Sequence, residues 1–243
     1  MLLIKNLLFW LCFCVFTIAI FPFILLSIFL PAHQRLNTGI FWVKVVSSLL
    51  KNIIGLDYQV VGQENIPADP AIICCKHQSA YETLILHLIF PHQANILKRE
   101  LFYLPILGQG LMLMNPIAIN RKSRTKATKQ ILEQGKKRKD KGFWITIFPE
   151  GTRMKPGERG KYKTGAARLA QNLQMNMVPV AVNSGTYWPK NSFLKYPGTV
   201  KFVILPQIAW DFGSIEEMTK QCEKQIETAQ IEIEPMFQEN TLD

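Results

Sequence analysis

The stretch KHQSAYET at 76–83 sets His77 and Glu82 five positions apart, between the apolar runs AIICC and TLILHLIF. On a regular helix, residues five apart lie about 140° apart around the axis. The pair can therefore meet only if His77 sits in a loop and Glu82 in the first turn of the helix that follows. S-A-Y-E at 79–82 reads as a capping box, with Ser79 as N-cap and Glu82 at the third helical position. That supports the geometry and gives Glu82 a structural role as well. If the two side chains meet, their chemistry is that of an oriented base. A carboxylate accepts a hydrogen bond from Nδ1–H, fixes the tautomer and leaves Nε2 free to take a proton. No G-x-S-x-G nucleophile elbow occurs in the chain, which points to a proton on the hydroxyl of a bound substrate.

A second set of candidates follows strand-like runs. FPEGTR at 148–153 comes directly after FWITIF, where ligands of open α/β sheets bind, beyond the carboxyl ends of strands. Pro149 and Gly151 shape that turn. Arg153 can hold a phosphate through two parallel hydrogen bonds; a solvated loop with a surface ion pair is the plain alternative. Arg121 follows PIAI, and Lys98 ends another strand candidate and could add to an anion pocket. Pro179 and the valines of MVPVAVNSG read as structural. GQG at 108–110 is no dinucleotide fingerprint, since position 113 is leucine, and no Walker A loop is present.

The elements that must position these residues alternate. Strands are expected at 57–61, 71–75, 94–97, 116–119, 143–148, 177–182 and 199–205. Helices are expected at 82–90, 123–141 and 163–174 and from Ser214, where Glu217 completes a capping box. This pattern argues for an α/β domain over 56–243, with a mostly parallel or mixed sheet flanked by helices. Residues 6–30 carry no charge and are long enough to span a bilayer, which takes about 20 apolar residues. They are too long for a signal peptide and no cleavage site follows. Pro22 is expected to kink or divide that helix. The segment from Thr38 to Gly55 reads as an interfacial helix, with Phe41, Val45, Ser48, Leu49 and Asn52 on one side and Lys44 and Lys51 on another. Residues 1–55 thus form a membrane anchor, either one span or a two-helix hairpin dipped into one leaflet.

The net charge of +10 is local. Residues 121–168 hold sixteen Lys/Arg against four Asp/Glu, and 207–243 hold two against nine. Such a field suits an anionic partner: a phosphorylated small molecule, an anionic membrane surface or nucleic acid. The KKRKDK run at 136–141 favours a non-catalytic protein that binds anionic lipid or nucleic acid. It lacks aromatic interleaving, however, and reads more simply as a solvated helix face, so no nucleic-acid partner is expected. Five cysteines without a C-x-x-C argue against a disulfide framework or a zinc site and fit a reducing compartment. The expected location is the inner membrane, with the domain on its cytoplasmic face.

Taken in order, His77 with Glu82, Arg121 after I-N, FPEGTR and VPV resemble the four motifs of the glycerolipid acyltransferase family, and within it the bacterial 1-acylglycerol-3-phosphate acyltransferases. LKREL, GKYKTGA and the apolar N-terminus are similar too. The resemblance is strong over 71–185. Two positions depart from the family pattern, which has Asn before the histidine and Asp as the acid; here they are Lys76 and Glu82. Lys76 is expected to add a positive charge beside the base. The resemblance implies acyl transfer from an acyl thioester, acyl-CoA or acyl carrier protein, to the 2-hydroxyl of lysophosphatidate within membrane lipid, with no metal or resident cofactor. His77 and Glu82 would be catalytic, and Arg121, Lys98, Glu150, Gly151, Thr152 and Arg153 would bind substrate, with Glu150 shaping the pocket. A different lysolipid or glycerol 3-phosphate is the alternative acceptor.

Overall fold

Two stretches of four and six buried residues, Ile72–Cys75 and Met177–Val182, mark the middle of the sheet. Strands covered on both faces read as continuous apolar runs. A computed structural model of the chain describes residues 1–90, 92–119 and 124–234. Among these, seven strands form one sheet: β1 (Leu56–Val61), β2 (Ile72–Cys75), β3 (Gln93–Lys98), β4 (Ile117–Ile119), β5 (Trp144–Ile147), β6 (Met177–Val182) and β7 (Gly198–Ile204), in the order β1-β7-β6-β2-β5-β3-β4. All neighbours pair parallel except β6 and β7. The sheet is therefore mixed, and its expected strands are all present within one or two residues.

Successive side chains of a strand point to opposite faces, and the two faces build two cores. Ile72 and Cys74 face one way, onto α5 (Arg124–Lys139), α6 (Gly165–Leu173) and α8 (Ile215–Ile233). Ile73 and Cys75 face the other way, onto α3 (Tyr81–Ile89). Ser214 accepts from the Glu217 N–H and Glu217 reaches back to Ser214, so the capping box expected there is present.

The second core also takes in Phe9 from α1 (Leu2–Leu26) and Val46 from α2 (Ala32–Leu49). The two helices run antiparallel, with Trp42 donating to Thr17 at 3.1 Å. Residues 1–55 thus share a core with the α/β part. Pro22 does not divide α1. The second helix turns one apolar stripe toward the protein. Val43, Val46, Leu50 and Ile54 face the protein, whereas Phe41, Ser48 and Asn52 are exposed. The segment is apolar on more than one side, and the surface of α3 decides which side is covered. Among the described residues one helical stretch, Leu2–Phe29, is long and apolar enough to cross a membrane. Leu3, Leu7, Leu11, Val15 and Ile18 along it lie exposed.

The start of α1 is fastened to the loop before β7. The Asn6 amide donates to the Lys195 carbonyl at 3.0 Å and accepts from the Lys195 N–H at 2.8 Å. Trp10 donates to the Phe193 carbonyl. The Lys195 ammonium lies 3.8 Å from the Trp10 ring centre and 4.5 Å from that of Trp188. Burial lowers this lysine to about 8. Two short helices were not expected from sequence, α4 (Leu107–Leu113) and α7 (Ser184–Tyr187).

Candidate active site

The carboxyl ends of four neighbouring strands, β6, β2, β5 and β3, meet at one edge of the sheet. His77 follows β2 and Glu82 lies in the first turn of α3, as their spacing requires. Nδ1 of His77 lies 2.7 Å from Oε1 of Glu82. That same oxygen accepts from the backbone N–H groups of Gln78 at 2.9 Å and Ser79 at 2.8 Å. Oε2 accepts from the Ser184 hydroxyl at 2.6 Å. Four donors thus converge on a fully buried carboxylate, while the His77 side chain keeps 15% of its surface exposed. With Nδ1–H engaged, Nε2 is the free nitrogen.

The capping box expected at Ser79 is only half formed. Glu82 reaches back to the Ser79 N–H, but the Ser79 hydroxyl accepts from Tyr81 rather than from Glu82. Phe148, the first residue after β5, stacks on the imidazole with ring centres 3.9 Å apart at 19°. It covers one face of the ring and fixes its plane.

His77 opens into a cleft of about 500 Å³ that also presents Lys98, Gly151, Thr152 and Arg153. Gly151 has φ +72°, which favours glycine, and the Lys163 ammonium lies close over it. Arg121 lies outside the described residues. A second, apolar cavity of about 330 Å³ adjoins the cleft. It runs between α1, α2, α3 and α4 and shares Trp42, Leu84, Met114 and Arg153 with it.

Glu150 does not line the cleft. It lies on the opposite face of the sheet edge, its side chain fully buried and 3.6 Å from the Lys76 ammonium. Burial pushes its carboxyl up to about 7, while the N–H groups of Glu150 and His77 and the Lys76 charge pull it down. Lys76 is not beside the base either. In the extended chain its side chain points away from that of His77, to Glu227 Oε1 at 2.7 Å.

Sequence reasoning passed over Ser184, Gln78, Phe148 and His87. His87 lines the cleft, its Nε2 3.0 Å from the Asn95 amide nitrogen, and burial lowers it to about 4, so it is neutral at pH 7. Its spacing of four from Thr83, another cleft residue, was a readable signal. Ser184 follows β6 as His77 follows β2, which was the available signal there. The KKRKDK run lies at the far end of the sheet, just before β5 begins. Two of its members serve as caps: Arg138 on the carbonyls of Asn115 and Pro116, and Lys139 on that of Leu173.

The Acyltransferase family model matches residues 57–183. A 1-acyl-sn-glycerol-3-phosphate acyltransferase of Pseudomonas aeruginosa is 41% identical over 200 residues, covering 81% of this chain and 78% of that protein. The human protein named 1-acyl-sn-glycerol-3-phosphate acyltransferase beta is 28% identical over 197 residues, 78% of this chain and 70% of the relative. The crystal structure of the 1-acyl-sn-glycerophosphate acyltransferase of Thermotoga maritima superposes with a TM-score of 0.81 at 25% identity, covering 97% of this chain and 98% of that one.

Proposed function

The chain belongs to the acyltransferase family, and from that premise we infer that it moves a fatty acyl group from an acyl thioester to the 2-hydroxyl of 1-acylglycerol-3-phosphate, giving phosphatidate. The observation that carries the chemistry is the 2.7 Å contact between His77 and Glu82 in a cleft that also holds Arg153.

His77 Nε2 takes the proton of the lipid hydroxyl as its oxygen attacks the thioester carbonyl. Glu82 holds the ring and faces the positive charge that forms on it. As the tetrahedral intermediate collapses, the thiolate leaves and the imidazolium returns the proton to it. Base action of this kind contributes typically about 10²–10⁴ in rate, and the remainder comes from holding both substrates in line. Arg153 and Lys98 bind the acceptor phosphate, and Arg121 is assigned the same role. Gly151 and Thr152 form the wall between them. The apolar cavity beside Arg153 suits a fatty chain, because its lining is almost wholly hydrocarbon. The donor thioester is one of coenzyme A or acyl carrier protein.

Membrane association follows from the exposed apolar side of α1. We assign α1 and α2 to one leaflet of the inner membrane, from the cytoplasmic face. A spanning α1 would have to draw Asn6 and Phe9 out of their contacts with the domain, which supports the dipped hairpin.

The test is His77→Ala in washed membranes, with labelled acyl thioester and a panel of lysolipid acceptors and glycerol 3-phosphate. Loss of transfer with unchanged membrane binding is expected, lysophosphatidate being the acceptor that responds most. Near-normal turnover rejects the base, and a strong preference for a phosphate-free acceptor rejects the substrate.

A further inference from the structure

We propose that Lys76 is a positioning residue of the active site: its buried ammonium ties the loop that carries His77 to the loop that carries Arg153, and so sets the distance between the base and the anion-binding arginine. The Lys76 side chain is 1% exposed. Its Nζ donates to Glu227 Oε1 on α8 at 2.7 Å and to the Glu158 carbonyl at 3.1 Å, and lies 3.6 Å from Glu150 Oε1. The Tyr162 hydroxyl donates to the same Glu227 oxygen at 2.7 Å. Glu150, Glu158 and Tyr162 all belong to the segment between β5 and α6 that also carries Gly151 and Arg153. One lysine thus gathers that loop from beneath and fixes it to α8.

A second tie joins the same two loops through the backbone, where the Met154 N–H donates to the His77 carbonyl at 2.7 Å. Met154 is next to Arg153. The two ties act on adjacent residues, 76 and 77, and couple the base to the arginine through both side chain and backbone.

The charge balance gives Lys76 a part that a neutral residue cannot fill. The groups facing the cluster are Glu150 and Glu227, the Tyr162 hydroxyl, and the Cys74 and Cys222 thiols from β2 and α8. At the outer edge Arg159 is paired with Glu223 at 2.9 Å. Lys76 is the cation that both inner carboxylates face. A hydrogen bond from Cys74 and burial push the Cys222 thiol up, and burial with the neighbouring carboxylates does the same to Tyr162, so both stay neutral and add no charge to the cluster. Neither Glu150 oxygen meets a donor in good hydrogen-bond geometry among the described residues. Removing Lys76 therefore drives Glu150 toward its protonated form and leaves Glu227 without its cation and the Glu158 carbonyl without its donor beneath the loop.

The inference rests on the acyl-transfer reading, and wild-type turnover in the same assay tests that reading separately. Lys76→Met alone leaves unpaired buried charge, so the informative variant is Lys76→Met with Glu227→Leu. Replacing a buried ion pair by apolar groups commonly preserves folding. The expected result is a folded double variant whose kcat/KM for lysophosphatidate is lower by about 10²-fold, the cost of a misplacement near 1 Å. The loss should fall on both acceptor KM and kcat, while the KM for the acyl thioester stays within a few-fold. Lys76→Arg, which keeps a cation and its donors, should recover most of that loss. Glu227→Gln, which keeps the fold and both hydrogen bonds but not the charge, gives an independent reading and should raise acceptor KM several-fold. Wild-type acceptor KM and kcat in either the double variant or Glu227→Gln overturns the proposal, as does an equal rise in both substrates' KM.

Discussion

Replacing Glu82 by glutamine separates charge from shape at the base. The amide oxygen can take the place of Oε1 and accept from His77 Nδ1–H and from the N–H groups of Gln78 and Ser79. The opposite orientation would aim an NH₂ at three donors and is excluded. The amide nitrogen then faces Ser184, whose hydroxyl turns to accept. The loop and the tautomer survive, and what is lost is the negative charge beside the imidazolium of the transition state. Two unit charges about 4 Å apart at an effective dielectric near 20 interact by about 4 kcal/mol. Each 1.36 kcal/mol is tenfold in rate, so the ceiling is about 10³-fold. His77 is partly exposed, and screening brings the expected fall in kcat to about 10²–10³-fold. The measurement is steady-state transfer of a labelled acyl group to lysophosphatidate in vesicles, with thermal unfolding run in parallel. A Glu82→Gln protein that keeps its melting point and turns over within threefold of wild type would refute the role given to the carboxylate.

Other perturbations read other parts of the site. Arg153→Ala should raise the KM for lysophosphatidate roughly 10–100-fold, as expected from the loss of a charge-assisted hydrogen bond of about 1.5–3 kcal/mol, and should leave a phosphate-free acceptor unaffected. Gly110 faces open space in the apolar cavity; Gly110→Leu should shift acyl preference toward shorter chains across a panel of thioesters. Glu150 carries a pH signature. Its folded value of about 7 lies above the ordinary carboxylate value, so between those two the native state holds more proton than the unfolded chain. Its contribution to stability is thus fully present at low pH and is lost as pH rises from about 4.5 through 7. Relative to Glu150→Gln, the wild-type protein should lose on the order of 3 kcal/mol across that window by denaturant unfolding. A flat difference refutes the burial argument. Ser184→Ala removes one of the four donors on Glu82 and should cost about 1–2 kcal/mol in kcat/KM, read in the same transfer assay.

Local geometry explains why some of this was legible and some was not. A histidine in a loop and a carboxylate in the first helical turn is a short-range arrangement, and the spacing from 77 to 82 carries it. Arg153 and Lys98 could be placed at the cleft because Lys98 ends β3 and Arg153 lies in the loop that follows β5. Lys76 and Glu150 were misplaced for want of one step: in extended chain, neighbours face opposite ways, so Lys76 could not share a side with His77. Ser184 meets Glu82 across 102 residues of sequence, and no local pattern reports such a meeting. The direction of β7 and the buried side of α2 were likewise set by partners far along the chain. In α4, LGQGLML offers no polar face to reveal a helical period.

The grip of Lys195 on the first helix bears on how the chain is made. Asn6 and Lys195 stand 189 residues apart, and at about 5–20 residues per second the ribosome needs roughly 10–40 s to deliver the second after the first. On the membrane placement proposed above, the hydrocarbon of the bilayer hosts the newborn helix for that whole interval. The strand β1 also waits, since its partner β7 begins at Gly198. The start of the chain is thus delivered to lipid first and is fitted to its own protein last, so the enzyme reaches its substrate's phase before its active site exists.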